Sequence, residues 1–121
     1  MADPVLIVDD STSMRQLVSF ALKDAGYEVI AATDGKDALS KLNGPKISLV
    51  ITDLNMPEMD GIEFIKQLRS TPGYRFTPVL MLTTESQEQK KLEGKRAGAS
   101  GWIVKPFTPD QLIGVVKRFA K

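Results

Sequence analysis

Cysteine and histidine are both absent from the 121 residues. Without cysteine there is no disulfide framework, and without histidine the Ser-His and Cys-His nucleophile pairs and most zinc sites are excluded together. No run of 18 or so apolar residues occurs, so a membrane span is not expected. An apolar N-terminal segment behind a basic one is also missing, so no secretory signal is read and a cytoplasmic protein is the default. Charge of one sign is lacking too. With 16 Lys and Arg against 15 Asp and Glu, the net charge is +1, and nothing points to a nucleic-acid-binding face. The chemistry left to this chain must use carboxylates, hydroxyls, amines and the backbone. What is present is a 42% hydrophobic composition at a length suited to one globular domain, which should bury roughly two thirds of its unfolded surface. No linker, repeat or low-complexity segment appears, and residues 1–121 are read as one domain with no output domain attached.

The organising stretch is Leu49 to Gly61. Leu49, Val50, Ile51 and Thr52 have strand character and lead straight into Asp53, and Asn55, Pro57, Asp60 and Gly61 then give loop signals. A carboxylate at the end of a buried strand is costly to desolvate and needs a partner. Other strand ends supply candidates. Val5 to Val8 is an apolar run that stops at Asp9 and Asp10, Val79 to Leu82 stops at Thr83 and Thr84, and Trp102 to Val104 stops at Lys105 and Pro106. Glu28 to Ala32 is a weaker strand.

Between these runs the spacing predicts helices. Ser11, Thr12 and Ser13 offer N-cap hydroxyls to a helix carrying Met14, Leu17, Val18, Ala21 and Leu22, with Gly26 as its stop. Asp34 can cap a helix bearing Ala38, Leu39 and Leu42, and Asp60 one with Ile62, Ile65 and Leu68 inward and Phe64 on the margin. The segment from Ser86 to Gly98 has a thin apolar face in which Leu92 and Ala97 are expected to do most of the burying. Gly94 costs it about 1 kcal/mol relative to Ala, so it is predicted to be the most loosely held helix. Thr108-Pro109-Asp110-Gln111 is a capping box that opens a last helix with Leu112, Ile113, Val115, Val116 and Phe119.

Five strands alternating with five helices predict an α/β fold, a doubly wound, mostly parallel sheet covered on both faces, with ligands bound outside the carboxyl ends of the strands. Asp9, Asp10, Asp53, Thr83 and Lys105 would then meet. Carboxylates so gathered repel by about 4 kcal/mol per pair at 4 Å with an effective dielectric near 20. Lys105 offsets one, and a divalent cation offsets the others. Mg²⁺ suits one or two carboxylates with a carbonyl and retained waters better than Ca²⁺ does. Such a site is equipped to receive a phosphoryl group on a carboxylate nucleophile.

At these residues the sequence resembles the response-regulator receiver family, and its chemotaxis branch most. The resemblance rests on Val8 to Asp10, Asp53 to Gly61, Val79 to Glu85 and Ala97 to Thr108 together, and it covers the whole chain. It implies a (βα)5 flavodoxin-like fold with strand order 2-1-3-4-5. It further implies that Asp53 is the phosphoacceptor, that Asp10, Asp53 and the backbone carbonyl of Asn55 bind Mg²⁺, that Asp9 holds a coordinated water, and that Thr83 and Lys105 grip the phosphoryl oxygens. The Lys105–Pro106 bond is expected to be cis. Thr83 and the aromatic ring of Trp102 are the family's switch pair, which changes the surface of the fourth helix, fifth strand and fifth helix. Asn55 and Glu85 occupy positions that tune acyl-phosphate hydrolysis, and moderately fast self-dephosphorylation is expected.

Three departures fall near that switch. Trp102 stands where Tyr or Phe is usual, Thr84 where the nearest relatives have Ala, and Gln87 and Glu88 where chemotaxis receivers carry lysines. The implied role is a monomeric stand-alone switch that is not itself an enzyme. A CheA-like histidine kinase would be its phosphodonor, and a flagellar motor switch or similar protein its reader. The alternative is a relay shuttle or phosphate sink that passes the group to a phosphotransfer protein. An aspartate-nucleophile phosphatase of haloacid-dehalogenase type is a third reading, but it needs a second Asp two residues after the nucleophile, where Asn55 stands and cannot supply the proton.

Overall fold

A computed structural model describes residues 4–84 and 88–120. Ten elements alternate along it: β1 (Val5–Val8), α1 (Thr12–Asp24), β2 (Val29–Ala32), α2 (Gly35–Lys41), β3 (Leu49–Asp53), α3 (Gly61–Arg69), β4 (Val79–Thr84), α4 (Glu88–Ala97), β5 (Gly101–Lys105) and α5 (Pro109–Phe119). All strand pairs are parallel, in the order β2-β1-β3-β4-β5. This is the flavodoxin-like arrangement expected from the sequence. The chain runs from β1 outward to β2 and then back past β1 to β3, so the connections after β1 and β3 leave toward opposite faces and open a crevice at their carboxyl ends.

The unbroken apolar runs follow from burial on both faces. Val5, Ile7, Leu49, Ile51, Leu80, Leu82 and Ile103 pack with Val18, Ala21 and Leu22 of α1 and Leu112 and Val116 of α5. Leu6, Val8, Val50, Val79 and Met81 pack on the other face with residues of α2 and α3. The helix starts read as caps are caps. The side chains of Ser11, Asp34, Asp60 and Thr108 accept the backbone N–H of Met14, Asp37, Glu63 and Gln111. The Gln111 side chain returns a bond from the Thr108 N–H, which completes the capping box with Pro109 at the first turn.

Three expectations about burial need correction. Phe64, placed on the margin of its helix, is fully buried, because α3 is flanked by α2 and by α4 and so buries a wider arc than the sheet alone would take. Leu17, assigned to the apolar stripe of α1, is 44% exposed. Leu92 is 54% exposed and does not bury α4. Gly94 does so instead: a Cβ there would lie 2.5 Å from the Met81 sulfur, so the absent side chain is what lets α4 approach the sheet. Residues 85–87, the expected start of this helix and the positions of Glu85 and Gln87, lie outside the described residues.

Candidate functional site

β1 and β3 are neighbours in register, Val8 opposite Thr52, so Asp9 and Asp53 leave the sheet side by side. β4 lies against β3 with Asp53 opposite Leu82, and β5 against β4 with Thr84 opposite Lys105. The strand ends therefore deliver Asp9, Asp10, Asp53, Thr83 and Lys105 to one edge. Asp9, Asp53 and Thr83 are buried, Lys105 is half-buried and Asp10 is exposed.

Lys105 Nζ donates to Asp53 Oδ1 at 2.9 Å, and the Leu54 N–H donates to the same oxygen at 2.9 Å. Among the described residues both bonds to this carboxylate fall on Oδ1, which leaves Oδ2 for another partner. Asp9 Oδ1 accepts the Ser11 N–H at 2.8 Å, while its Oδ2 is buried without a hydrogen-bond partner among the described residues. Thr83 Oγ1 is likewise buried and unpartnered among the described residues. Buried polar atoms left in this way cost about 1–3 kcal/mol each, and two of them at one edge of the sheet mark a place suited to something further binding. Burial pushes the Asp9 carboxyl above the ordinary carboxylate value; the Ser11 N–H opposes this, Asp53 adds to the rise, Lys105 opposes it and Asp10 adds to it.

One oxygen from each of Asp9, Asp10 and Asp53 falls within 4.8 Å of the others. Three hard oxygen donors at that spacing, in a cluster where Asp9 also has a carboxylate oxygen without a hydrogen bond among the described residues, fit Mg²⁺. Asn55 is exposed in the loop after β3, and the Lys105–Pro106 bond is cis. The loop is drawn close under the site by Gly61. Its N–H donates to the Leu54 carbonyl at 2.8 Å, and a Cβ on it would stand 2.5 Å from the Asp53 carbonyl oxygen.

The match to the response regulator receiver domain model spans residues 5–117. This chain belongs to the response-regulator receiver family. The receiver is 51% identical to the Vibrio cholerae chemotaxis protein CheY4, whose structure it fits with a TM-score of 0.94 over 98% of this chain and 99% of that one. A putative response regulator from Chloroflexus aurantiacus gives a TM-score of 0.92 at 34% identity, covering 98% of each chain. The phosphate regulon transcriptional regulatory protein PhoB of Escherichia coli is 36% identical over 117 residues, 97% of this receiver and 51% of PhoB, so the chain spans about half the length of that relative. Receiver domains are signalling switches that bind Mg²⁺ at an acidic pocket, and this chain gathers Asp9, Asp10 and Asp53 in an acidic cluster at the carboxyl edge of its sheet.

Two residues escaped the reading of the sequence. Arg15 Nη1 donates to the Asp9 carbonyl at 2.6 Å and Nη2 to Thr12 Oγ1 at 3.2 Å, pinning the turn that carries both Asp9 and Asp10. Helical side chains lean back toward the N-terminus, so a cation in the first turn after a pair of acids was the signal available. Arg69, at the end of α3, donates to the carbonyls of Tyr74, Thr77 and Gly98 at 2.9, 2.6 and 2.7 Å and ties the far end of α4 to the β4 entry. Its burial among neutral acceptors pushes its pKa down.

Proposed function

We propose that Asp53 accepts a phosphoryl group from a phosphohistidine on a CheA-like histidine kinase, and that the resulting change at α4, β5 and α5 controls a protein partner in chemotaxis or motility. The observation that carries this reading is the asymmetry of the Asp53 carboxylate, with Oδ1 held by Lys105 and Leu54 and Oδ2 left to attack. The Oδ2 to phosphorus bond forms as the phosphorus to nitrogen bond of the donor breaks. The imidazole leaves with the electron pair and takes a proton. Lys105, already bonded to Asp53, and Thr83, at the end of the neighbouring β4, would donate to the new phosphoryl oxygens, and the Thr83 hydroxyl would gain its missing bond by turning toward them. Asp10, Asp53 and the Asn55 carbonyl would hold Mg²⁺, with Asp9 on a water of that ion, and the ion would supply charge neutralisation to the transferring group.

The likeness to CheY4 favours the chemotaxis role, with a flagellar motor switch as the reader. A relay shuttle or phosphate sink, paired with a phosphotransfer protein, is the second reading. Asn55 and Glu85 are proposed to tune the lifetime of the acyl phosphate, and Trp102 to follow Thr83. A cytoplasmic, monomeric protein fits this role, and no helix among the described residues is long and apolar enough to cross a membrane. The test is intact-mass analysis after treatment with acetyl phosphate and Mg²⁺. One added phosphoryl mass is expected, absent in Asp53→Asn and in metal-free buffer. An adduct that survives Asp53→Asn overturns the assignment. Retention of a motor component or of a phosphotransfer protein by the beryllofluoride-treated receiver then decides between the two readings.

A further inference from the structure

Lys91 does not behave as a surface lysine. The start of its helix is otherwise polar and exposed, with Glu88, Gln89 and Lys90 in solvent, yet the Lys91 side chain is only 12% exposed. The ammonium lies 3.3 Å from Glu88 Oε1 and 5.9 Å from the centre of the Trp102 ring. Glu88 is 80% exposed, and an ion pair with so open a partner is too weak to draw a lysine inward. An indole face is the strongest aromatic partner for a cation, and it accounts for where the stem and the charge both go.

We propose that Lys91 is a positioning residue for Trp102, holding the indole in its resting place through a cation–π contact. Three features mark the place as the resting one. Lys105 is bonded directly to Asp53, the Thr83 hydroxyl has no partner among the described residues, and Trp102 stands between two open grooves of 350 and 300 Å³ on the β5 face. Thr83 shares a sheet face with Met81, and the register sets Met81 opposite Trp102 and Thr83 opposite Val104, so the indole lies one step along β5 from the switch hydroxyl. α4 is fixed at its other end, where Gly94 abuts Met81 and Arg69 bonds the Gly98 carbonyl. Lys91 ties the opposite half of that helix to β5. Moving the ring breaks this tie, so Lys91 weights the balance between two ring positions by about two- to fivefold.

The link from ring position to phosphorylation rests on the function proposed above, but the ring position itself does not. Trp102 is the only tryptophan, so its fluorescence reports this contact alone. The wild type is compared with Lys91→Met, which keeps the stem without the charge, and with Lys91→Arg, which keeps a cation. Acrylamide quenching reads the resting exposure of the ring, and titration with beryllofluoride in Mg²⁺ reads its displacement. Lys91→Met is expected to raise quenching and to lower the beryllofluoride midpoint by about two- to fivefold, with Lys91→Arg close to wild type. Quenching that is the same in wild type and Lys91→Met overturns the proposal, as does an equal change in Lys91→Met and Lys91→Arg, which would assign the effect to packing. If no protein responds to beryllofluoride while the quenching difference holds, the phosphoryl reading fails and the Lys91 contact stands.

Discussion

α3 buries Ile62, Phe64, Ile65 and Leu68, whereas the buried residue of α4 is Gly94. Both helices follow a strand that ends at the candidate site, and both lie on the same face of the sheet. They differ in what ties them down. α3 is held by large side chains along its length, and α4 by a close backbone approach at one end and by Lys91 over Trp102 at the other. The difference divides the labour of a switch. The helix after Asp53 is seated to keep that carboxylate still, and the helix after Thr83 is cheap to displace.

The sharpest way to break this comparison is to cut into α3. Phe64→Ala removes a fully buried ring and is expected to cost about 3–5 kcal/mol in urea denaturation. A cost near 1 kcal/mol would mean that α3 is no better seated than α4. The glycines extend the contrast. At Gly61 a new Cβ meets the backbone at Asp53 and Leu54, which cannot step aside, so Gly61→Ala is expected to destabilise by about 1–3 kcal/mol and to slow acetyl phosphate labelling. At Gly94 it meets the mobile end of Met81, and the gain in helix propensity of about 1 kcal/mol opposes the repacking, so Gly94→Ala should stay within about 1 kcal/mol of wild type.

Much of this was legible in the sequence because it is local. Val5 to Val8 and Leu49 to Asp53 read as strands since both faces of each are covered, and Ser11, Asp34, Asp60 and Thr108 read as caps since a cap is decided within four residues. The convergence of Asp9, Asp10, Asp53, Thr83 and Lys105 followed from strand ends meeting in a parallel sheet. What was not legible depends on neighbours distant in sequence. Phe64 is buried by helices on both sides of its own, Gly94 looks like a defect until Met81 is set against it, and Arg69 looks like a solvated charge until three carbonyls surround it.

The stationary side also carries an electrostatic load that pH exposes. Burial first, with the charges of Asp53 and Asp10 behind it, holds the Asp9 carboxyl above its ordinary value of 3.8. The folded chain then binds that proton more tightly than the unfolded chain. Stability from this group is therefore lost as pH rises from about 3.8 through the raised value, and it stays lost above. In metal-free buffer Asp9→Asn, which cannot ionise, is expected to lack that fall and to have the higher urea midpoint at neutral pH. Mg²⁺ should narrow the gap by stabilising the wild type. Parallel pH profiles for the two proteins would show that the burial of Asp9 is not felt.

The smallest expected effect is at Leu92. More than half exposed and on a helix that leans on Gly94, it has little apolar surface to lose, and Ala is as good a helix former as Leu. Leu92→Ala should therefore cost about 1 kcal/mol or less, a fraction of the loss at Phe64. The two substitutions remove side chains from facing helices of one layer, so their ratio measures directly how unequally that layer is fastened. A Leu92→Ala cost approaching that of Phe64→Ala would place α4 among the rigid parts of the molecule, and the displacement proposed for Trp102 would then have to be borne by β5 alone.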